Sequence, residues 1–292
     1  MMKRKLAAIA IVLLLPFVLY ASWCGQRPPQ TNETRLLFPG ISYQREFRSD
    51  PRPMMIHIVS IDLTAPGVRV FVTPGNPTPD RTETIAQTTA EFLHEFDLQL
   101  AVNASFFFPF REETPWDFYP HSGDRVSTIG QTIAQGNSYS DPEPGWPILC
   151  FADDRAQIVE ADCPPNTTDA VAGSEILLAN GRSIVADSDQ PDPPYARMVV
   201  AIAPSGQQIW LIAIDGKQPL YSEGATLAEV AAIALALGAD RAINLDGGGS
   251  TTLAVRTDQK VTILNAPIHT KLPMRQRPIA NHIGFAARSN GS

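Results

Sequence analysis

The run Ile243-Asn244-Leu245-Asp246-Gly247-Gly248-Gly249-Ser250-Thr251-Thr252 gathers residue types that can do chemistry. Ile243–Leu245 reads as a strand, which puts the Asp246 carboxylate at its end. Three glycines follow. Lacking Cβ atoms, they let a backbone approach a ligand and take up positive φ. Successive N–H groups in such a turn can form an anion-binding nest, and Ser250, Thr251 and Thr252 add hydroxyl donors. Spacing excludes three familiar readings. A P-loop needs a Lys and then Ser or Thr after its glycines, and the dinucleotide fingerprint needs G-x-G-x-x-G before a helix. Here Thr251–Val255 is β-branched and reads as a strand. The nucleophile elbow needs a final glycine that Gly248-Gly249-Ser250-Thr251-Thr252 lacks. On the residues alone, a tight glycine hairpin with Asp246 accepting turn N–H bonds stands beside the anion-site reading.

Four other segments accompany this motif in order: Asn103-Ala104-Ser105-Phe106-Phe107, Tyr195-Ala196-Arg197-Met198, Ile214-Asp215-Gly216-Lys217 and Gln276-Arg277-Pro278-Ile279-Ala280-Asn281. Together with INLDGGGSTTLAV, which follows a capped helix and an Ala-Asp pair, they resemble the phosphodiester glycosidase family. The matches run from about residue 55 to 286. Ala104, Met198, Lys217 and Gln276 stand where the family has Gly, Thr, Arg and Glu.

The resemblance implies hydrolysis of a sugar C1–O bond whose oxygen belongs to a phosphodiester. A phosphate monoester is a good leaving group, so a strong general acid matters less than in ordinary glycoside hydrolysis. Phosphate charge must be neutralised, and a carboxylate must serve the sugar cation or the attacking water. Arg197 and Arg277 are candidate phosphate clamps, because the guanidinium fork binds oxygens in pairs. Lys217 adds a point charge, and Gly247, Gly248 and Gly249 offer N–H donors beside the hydroxyls of Ser250 and Thr251. Asp246 is the first candidate for nucleophile or general base, and Asp215, at a second strand end before Gly, is the other carboxylate. Asn103 and Asn244 would hold sugar hydroxyls or orient a carboxylate. His57 reads as a packed strand histidine, and Phe106–Phe108 as core with one ring free to face a sugar. No cofactor is expected; hard oxygens on Asp246, Asp215, Asn103 and Asn244 leave a bound Ca²⁺ open. A non-catalytic envelope glycan-binding protein is the alternative reading, and a Ser250 hydrolase lacks a triad histidine.

Positioning these residues falls to short strands. Met55–Leu63 alternates apolar and polar residues, and Pro66-Gly67 turns it toward Val68–Val72. Thr84–Phe96 has helical spacing. Leu98–Val102 leads into Asn103, residues 109–147 read as a long functional loop, and Asn180-Gly181 marks a hairpin. Strands are expected at Glu175–Ala179, Met198–Ala203, Gln208–Ile214, Lys260–Leu264 and Ile279–Ala286. Thr226-Leu227-Ala228-Glu229 is a capping box, and Gly238 ends that helix; its run is apolar almost all round, which predicts burial. The fold class is α+β, a single domain over 36–288 on a mixed or antiparallel β-sheet core with few helices.

Composition sets the remaining limits. The 292 residues carry a formal charge of −7, which becomes −10 once Lys3, Arg4 and Lys5 are removed with residues 1–22. So acidic a chain does not offer the basic footprint of a nucleic-acid binder. Basic residues 1–5 and the apolar run Leu6–Tyr20 read residues 1–22 as a signal peptide or N-terminal anchor, with 23–35 a linker. Extracytoplasmic placement follows: periplasmic, secreted, or anchored at the outer face of the inner membrane. In an oxidising compartment Cys150 and Cys163, bracketing an Asp153-Asp154 turn, would pair as a disulfide worth about 3 kcal/mol; two separate buried thiols are the alternative. A monomer acting on a phosphorylated sugar or glycan is expected, with membrane contact only through the N-terminal anchor.

Overall fold

Alternating side chains on Met54–Asp62 divide the molecule into layers. Met54, Ile56 and Ile58 pack on one side of the sheet, and Val59 and Ile61 on the other. A computed structural model describes residues 14–185, 192–257 and 260–288. Its largest sheet has eight strands in the order Glu33–Phe38, Ile41–Arg48, Met54–Asp62, Gln208–Ile214, Arg197–Ile202, Arg241–Asn244, Glu175–Ala179 and Arg182–Ser183. Helix Leu227–Ala236 covers its outer face through Val230, Ala231, Ile233 and Ala234. The inner face meets a five-stranded sheet ordered Lys260–Ile263, Leu253–Thr257, Leu100–Asn103, His282–Ala286, Arg69–Val72, which supplies Val102, Leu253, Ile283 and Phe285 to the shared core. A second five-stranded sheet, holding Ile148–Ala152 and Asp169–Ala172, adds Leu149, Phe151 and Val171. Helix Thr89–Glu95 closes the far side with Phe92 and Leu93. The paired strands are antiparallel throughout the described sheets.

Several expectations are adjusted by the structure. The helix expected over 84–96 begins at Thr89, because Thr88 forms a capping box with Glu91, while Thr84–Ile85 is a two-residue strand. The stretch 109–147 is not one loop. It contains the pair Arg111–Glu112 and Phe118–Tyr119, then Arg125–Thr128, Thr132–Ala134 and Asn137–Ser140. Strands of two to four residues between prolines and glycines show almost no periodicity. The helix after Thr226 is buried on one face only, since Ala228, Ala232 and Ala236 look outward. Cys150 and Cys163 are bonded, with Cα atoms 5.8 Å apart. The strand partner of Cys150 is Gln157, so Cys163 reaches back from beyond the hairpin rather than across it.

Residues 1–13 of the expected export segment lie outside the described residues. Residues 14–24 are helical, with exposed apolar side chains at Leu14, Leu15, Phe17, Val18 and Leu19. No helix among the described residues is long and apolar enough to cross a membrane. The expected linker 23–35 folds onto the domain. Gln30 donates to the carbonyls of Leu220 and Tyr221, Tyr221 donates to Pro28, and Glu33 begins the edge strand.

Candidate active site

Strand Arg241–Asn244 lies inside the large sheet between Arg197–Ile202 and Glu175–Ala179. Its exit carries Asp246 and the three glycines across the end of the neighbouring strand. Each glycine has its own spatial reason. A Cβ on Gly247 would stand 2.6 Å from the Ala196 carbonyl oxygen. Gly248 has φ +61° and lies against the Tyr195 ring. A Cβ on Gly249 would stand 2.5 Å from Arg277 Nη2, so the missing side chain is what lets that guanidinium settle on the bend.

The middle N–H of the expected donor turn is not free for a ligand. Gly248 N–H donates to Ala196 O at 2.8 Å, and Ser250 and Thr251 N–H close a 3₁₀ turn onto Gly247 and Gly248. Positive charge therefore comes from side chains.

A cavity of about 470 Å³ opens here, lined by Asp246, Asn244, Gly247, Arg197, Lys217 and Arg277, with Phe106, Phe107, Phe110, Glu112 and Tyr195 completing its wall. Arg277 Nη1 donates to Ser250 Oγ at 3.1 Å and Nη2 to Glu112 at 2.8 Å, and its guanidinium stacks 4.4 Å over Phe110. Arg197 Nε donates to Ala225 O, and Nη2 to Asp192 Oδ1 at 3.1 Å. Asp192 also caps the helix Leu227–Ala236 through the N–H groups of Leu227 and Ala228, which ties this arginine to a rigid element. Lys217, at φ +59°, places Nζ 4.1 Å from the Tyr195 ring centre. Burial pushes the Asp246 carboxyl up to about 6, against the pull of Arg277, the Ser250 hydroxyl, Gly247 N–H and Lys217. Asn244 lines the cavity; its Nδ2 donates to Ser174 Oγ, and its Oδ1 is buried without a partner.

Asp215 and Asn103 stand behind this wall. Asp215 is fully buried, and its carboxylate accepts from Asn265 Nδ2, Ala266 N–H and His57 Nε2 at 2.8–3.0 Å. Tyr43 extends that line to His57 Nδ1 at 2.8 Å. Asn103 Nδ2 donates to the Asp246 carbonyl, and its Oδ1 accepts from Thr252 N–H. Both residues brace the loop, and neither lines the cavity. Of the four residues weighed for Ca²⁺, Asp246 and Asn244 line the cavity while the carboxylate of Asp215 and the Oδ1 of Asn103 are engaged behind it, and the described residues hold no cluster of three His, Cys, Asp or Glu side chains suited to a metal. Thr251 is buried beneath the bend with an unpartnered hydroxyl.

Two titratable residues here escaped the sequence reading. Glu112, from the short Arg111–Glu112 strand, touches both Arg277 and His269 Nδ1, the latter at 3.1 Å. Burial opposes its charge, but Arg277 and His269 together hold Glu112 below the usual carboxylate range. Burial, reinforced by Arg277, pushes His269 down to about 4. Neither residue lies in a periodic or motif-like run, so their only sequence signal is membership of an irregular stretch. Of the four departures from the family pattern, only Lys217 lines the cavity. Met198 packs in the core, Ala104 bonds through its backbone, and Gln276 accepts from Ala90 N–H at the start of helix Thr89–Glu95.

A sequence model of the phosphodiester glycosidase family matches residues 96–286. No curated protein matches the chain. Among solved structures, a Synechocystis protein of hypothetical function superposes with a TM-score of 0.64 at 16% identity, over 89% of this chain and 64% of its own, so the chain spans less than two thirds of that protein. The catalytic domain of zebrafish N-acetylglucosamine-1-phosphodiester alpha-N-acetylglucosaminidase, auto-inhibited by its pro-peptide, gives 0.58 at 18% identity, over 88% of this chain and 89% of that one. A Burkholderia pseudomallei protein described as exported gives 0.58 at 14%, covering 80% and 74%. At these identities the structures show a shared fold.

Proposed function

The chain belongs to the phosphodiester glycosidase family, and from that premise we propose that it hydrolyses the sugar C1–O bond of a sugar-1-phosphodiester. The observation that carries this reading is the convergence of one buried carboxylate, Asp246, with three cations, Arg197, Lys217 and Arg277, on a single cavity large enough for a sugar and a phosphate. Arg277 and Lys217 face the phosphate and offset its charge. They are fixed before substrate arrives, so little reorganisation accompanies reaction. Asp246 acts as general base on the water that attacks the anomeric carbon. A carboxyl near pH 6 is ionised at neutral pH yet still basic enough to take a proton. The bond to phosphate breaks as the water adds, and the leaving monoester needs no strong acid. Asn244, on the same cavity wall as Asp246, is the residue that would hold a sugar hydroxyl.

Export to an oxidising compartment, and a role in envelope or exopolysaccharide metabolism, belong to the same proposal. The Cys150–Cys163 disulfide supports the first. The test is to incubate purified protein with a panel of nucleotide sugars and sugar-1-phosphate esters and to assay free sugar. Release by the wild type, with loss of at least about 100-fold in Asp246→Asn, is expected. Unchanged turnover in Asp246→Asn and Arg277→Ala would remove the assignment. Binding of envelope glycans by calorimetry, without any turnover, would favour the glycan-binding alternative.

A further inference from the structure

The three cavity cations are not equally available to a ligand. Arg197 is paired with Asp192 and Arg277 with Glu112. Lys217 makes no ion pair among the described residues and rests on the Tyr195 ring. With Asp246 counted, Arg197, Lys217 and Arg277 meet the carboxylates of Asp192, Asp246 and Glu112, and Glu175 acts on Arg197 as well, so the cations of the resting pocket are already compensated. That arrangement is unexpected for a site built only for affinity to phosphate. Removing Glu112 would leave Arg277 with Ser250 and His269 as its close partners, and His269 is neutral there because burial and Arg277 depress its protonation.

Hydrolysis of a phosphodiester changes the charge of the ligand. A diester carries one negative charge, whereas the released monoester carries between one and a half and two at pH 7, because its second proton leaves near pH 6. Three uncompensated cations would hold the product more tightly than the substrate. A fixed negative charge at Glu112 repels the second charge of the monoester, while the two N–H groups of Arg277 not spent on Ser250, Glu112 and His269 stay free for a diester oxygen. We propose that Glu112 is a specificity-determining residue, which tunes Arg277 to accept a singly charged phosphodiester and to reject, and so release, the doubly charged monoester. This rests on the reading that the cavity takes a sugar phosphodiester. The position of Glu112 suits the task. It sits at the rim on a two-residue strand, its carboxylate on Arg277 and His269 and its side chain 26% exposed. Its neighbour Glu113 faces Arg111 on the outside of the same hairpin.

The experiment compares Glu112→Gln with the wild type, with Glu113→Gln as a control that removes one charge from the same hairpin. Binding of inorganic phosphate and of dimethyl phosphate is measured by calorimetry at pH 8, where the first is a dianion and the second a monoanion. In Glu112→Gln, phosphate is expected to bind tighter by roughly tenfold or more, while dimethyl phosphate tightens by about threefold or less, since the lost repulsion scales with ligand charge. Glu113→Gln should leave both constants where they were. A purely structural Glu112 would shift thermal unfolding and leave the phosphate to dimethyl phosphate ratio unchanged, and that result would overturn the proposal. So would equal changes for the two anions, or an equal effect of Glu113→Gln. Sugar release by the wild type with an unaltered ratio would sink the role of Glu112 alone. Absence of both turnover and anion binding would sink the functional reading with it.

Discussion

Asn103 Nδ2 donates to the main-chain carbonyl of Asp246 across 143 positions of sequence. The same amide accepts Thr252 N–H through Oδ1 at 3.0 Å, so one side chain from the end of strand Leu100–Asn103 fastens both ends of the glycine bend. Asn265 does the like from the other side, bonding Thr251 O and the Asp215 carboxylate through Nδ2. The catalytic carboxylate proposed here is thus held by the backbone on which it sits.

Replacing Asn103 by Leu leaves a buried carbonyl and a buried N–H without partners. A loss of about 2–4 kcal/mol in urea unfolding is expected, since each orphaned group costs about 1–3 kcal/mol. Turnover should fall with it, because Asp246 moves with the bend. An Asn103→Leu variant as stable as the wild type would show that the clamp is idle.

The raised carboxyl of Asp246 links activity to stability with a definite sign. Below about pH 4 the group is protonated in folded and unfolded chains alike. Between about 4 and 6 the unfolded chain ionises first, so the stability given by a neutral Asp246 is lost as pH rises through its folded value near 6. Asp246→Asn should therefore be more stable than the wild type by about 1–2 kcal/mol at pH 8, with the gap closing toward pH 4. The wild-type kcat/KM should meanwhile fall as pH drops below about 6. Parallel denaturant titrations at pH 4 and 8, with a pH–rate profile, test both arms.

Gly249 and Gly248 separate binding from folding. Gly249→Ala puts a methyl group into the Arg277 guanidinium, which must swing off the bend. KM should rise by about tenfold or more, the loss of one charge-assisted contact, while the unfolding midpoint changes little. Gly248→Ala forces a side chain into a left-handed conformation against Tyr195, so stability should fall by about 1–3 kcal/mol. Identical KM values for Gly249→Ala and wild type would refute the contact.

His282 contributes to the acid limb. It is fully buried, stacked 4.6 Å from Phe92, and burial pushes its protonation down to about 3. Its stabilising contribution is complete above the ordinary histidine range near 6.5 and is lost as pH falls toward 3, because the unfolded chain takes up the proton first. A His282→Gln variant should show a flatter loss of stability between pH 6 and 3.5 than the wild type, measured by thermal unfolding across that window.

Local chemistry made much of the scaffold legible. The Thr226 capping box gave helix Leu227–Ala236, and Asn180-Gly181, both at positive φ, gave the turn between Glu175–Ala179 and Arg182–Ser183. The corresponding box at Thr88 was hidden because the apolar spacing of Thr84–Phe96 ran through it. The glycine bend was visible too, but its function as a donor nest was not fixed by three glycines. Only Gly248 takes a positive φ, and its N–H is spent on Ala196.

The sequence by itself determined the family, the α+β frame with few helices, and the presence of Asp246, Arg197 and Arg277 as groups that could meet. Those follow from short-range patterns and motif order. That the described sheets pair antiparallel was settled by the structure. Tertiary structure decided which carboxylates face the cavity. Asp215 and Asp246 each end a strand before glycine, yet one is closed in by His57, Asn265 and Ala266 and the other opens onto the cavity beside Arg277. Glu112 arrives from a segment with no motif at all. Which side of a strand end receives donors depends on the elements packed against it, and those come from far along the chain, beyond the reach of local pattern.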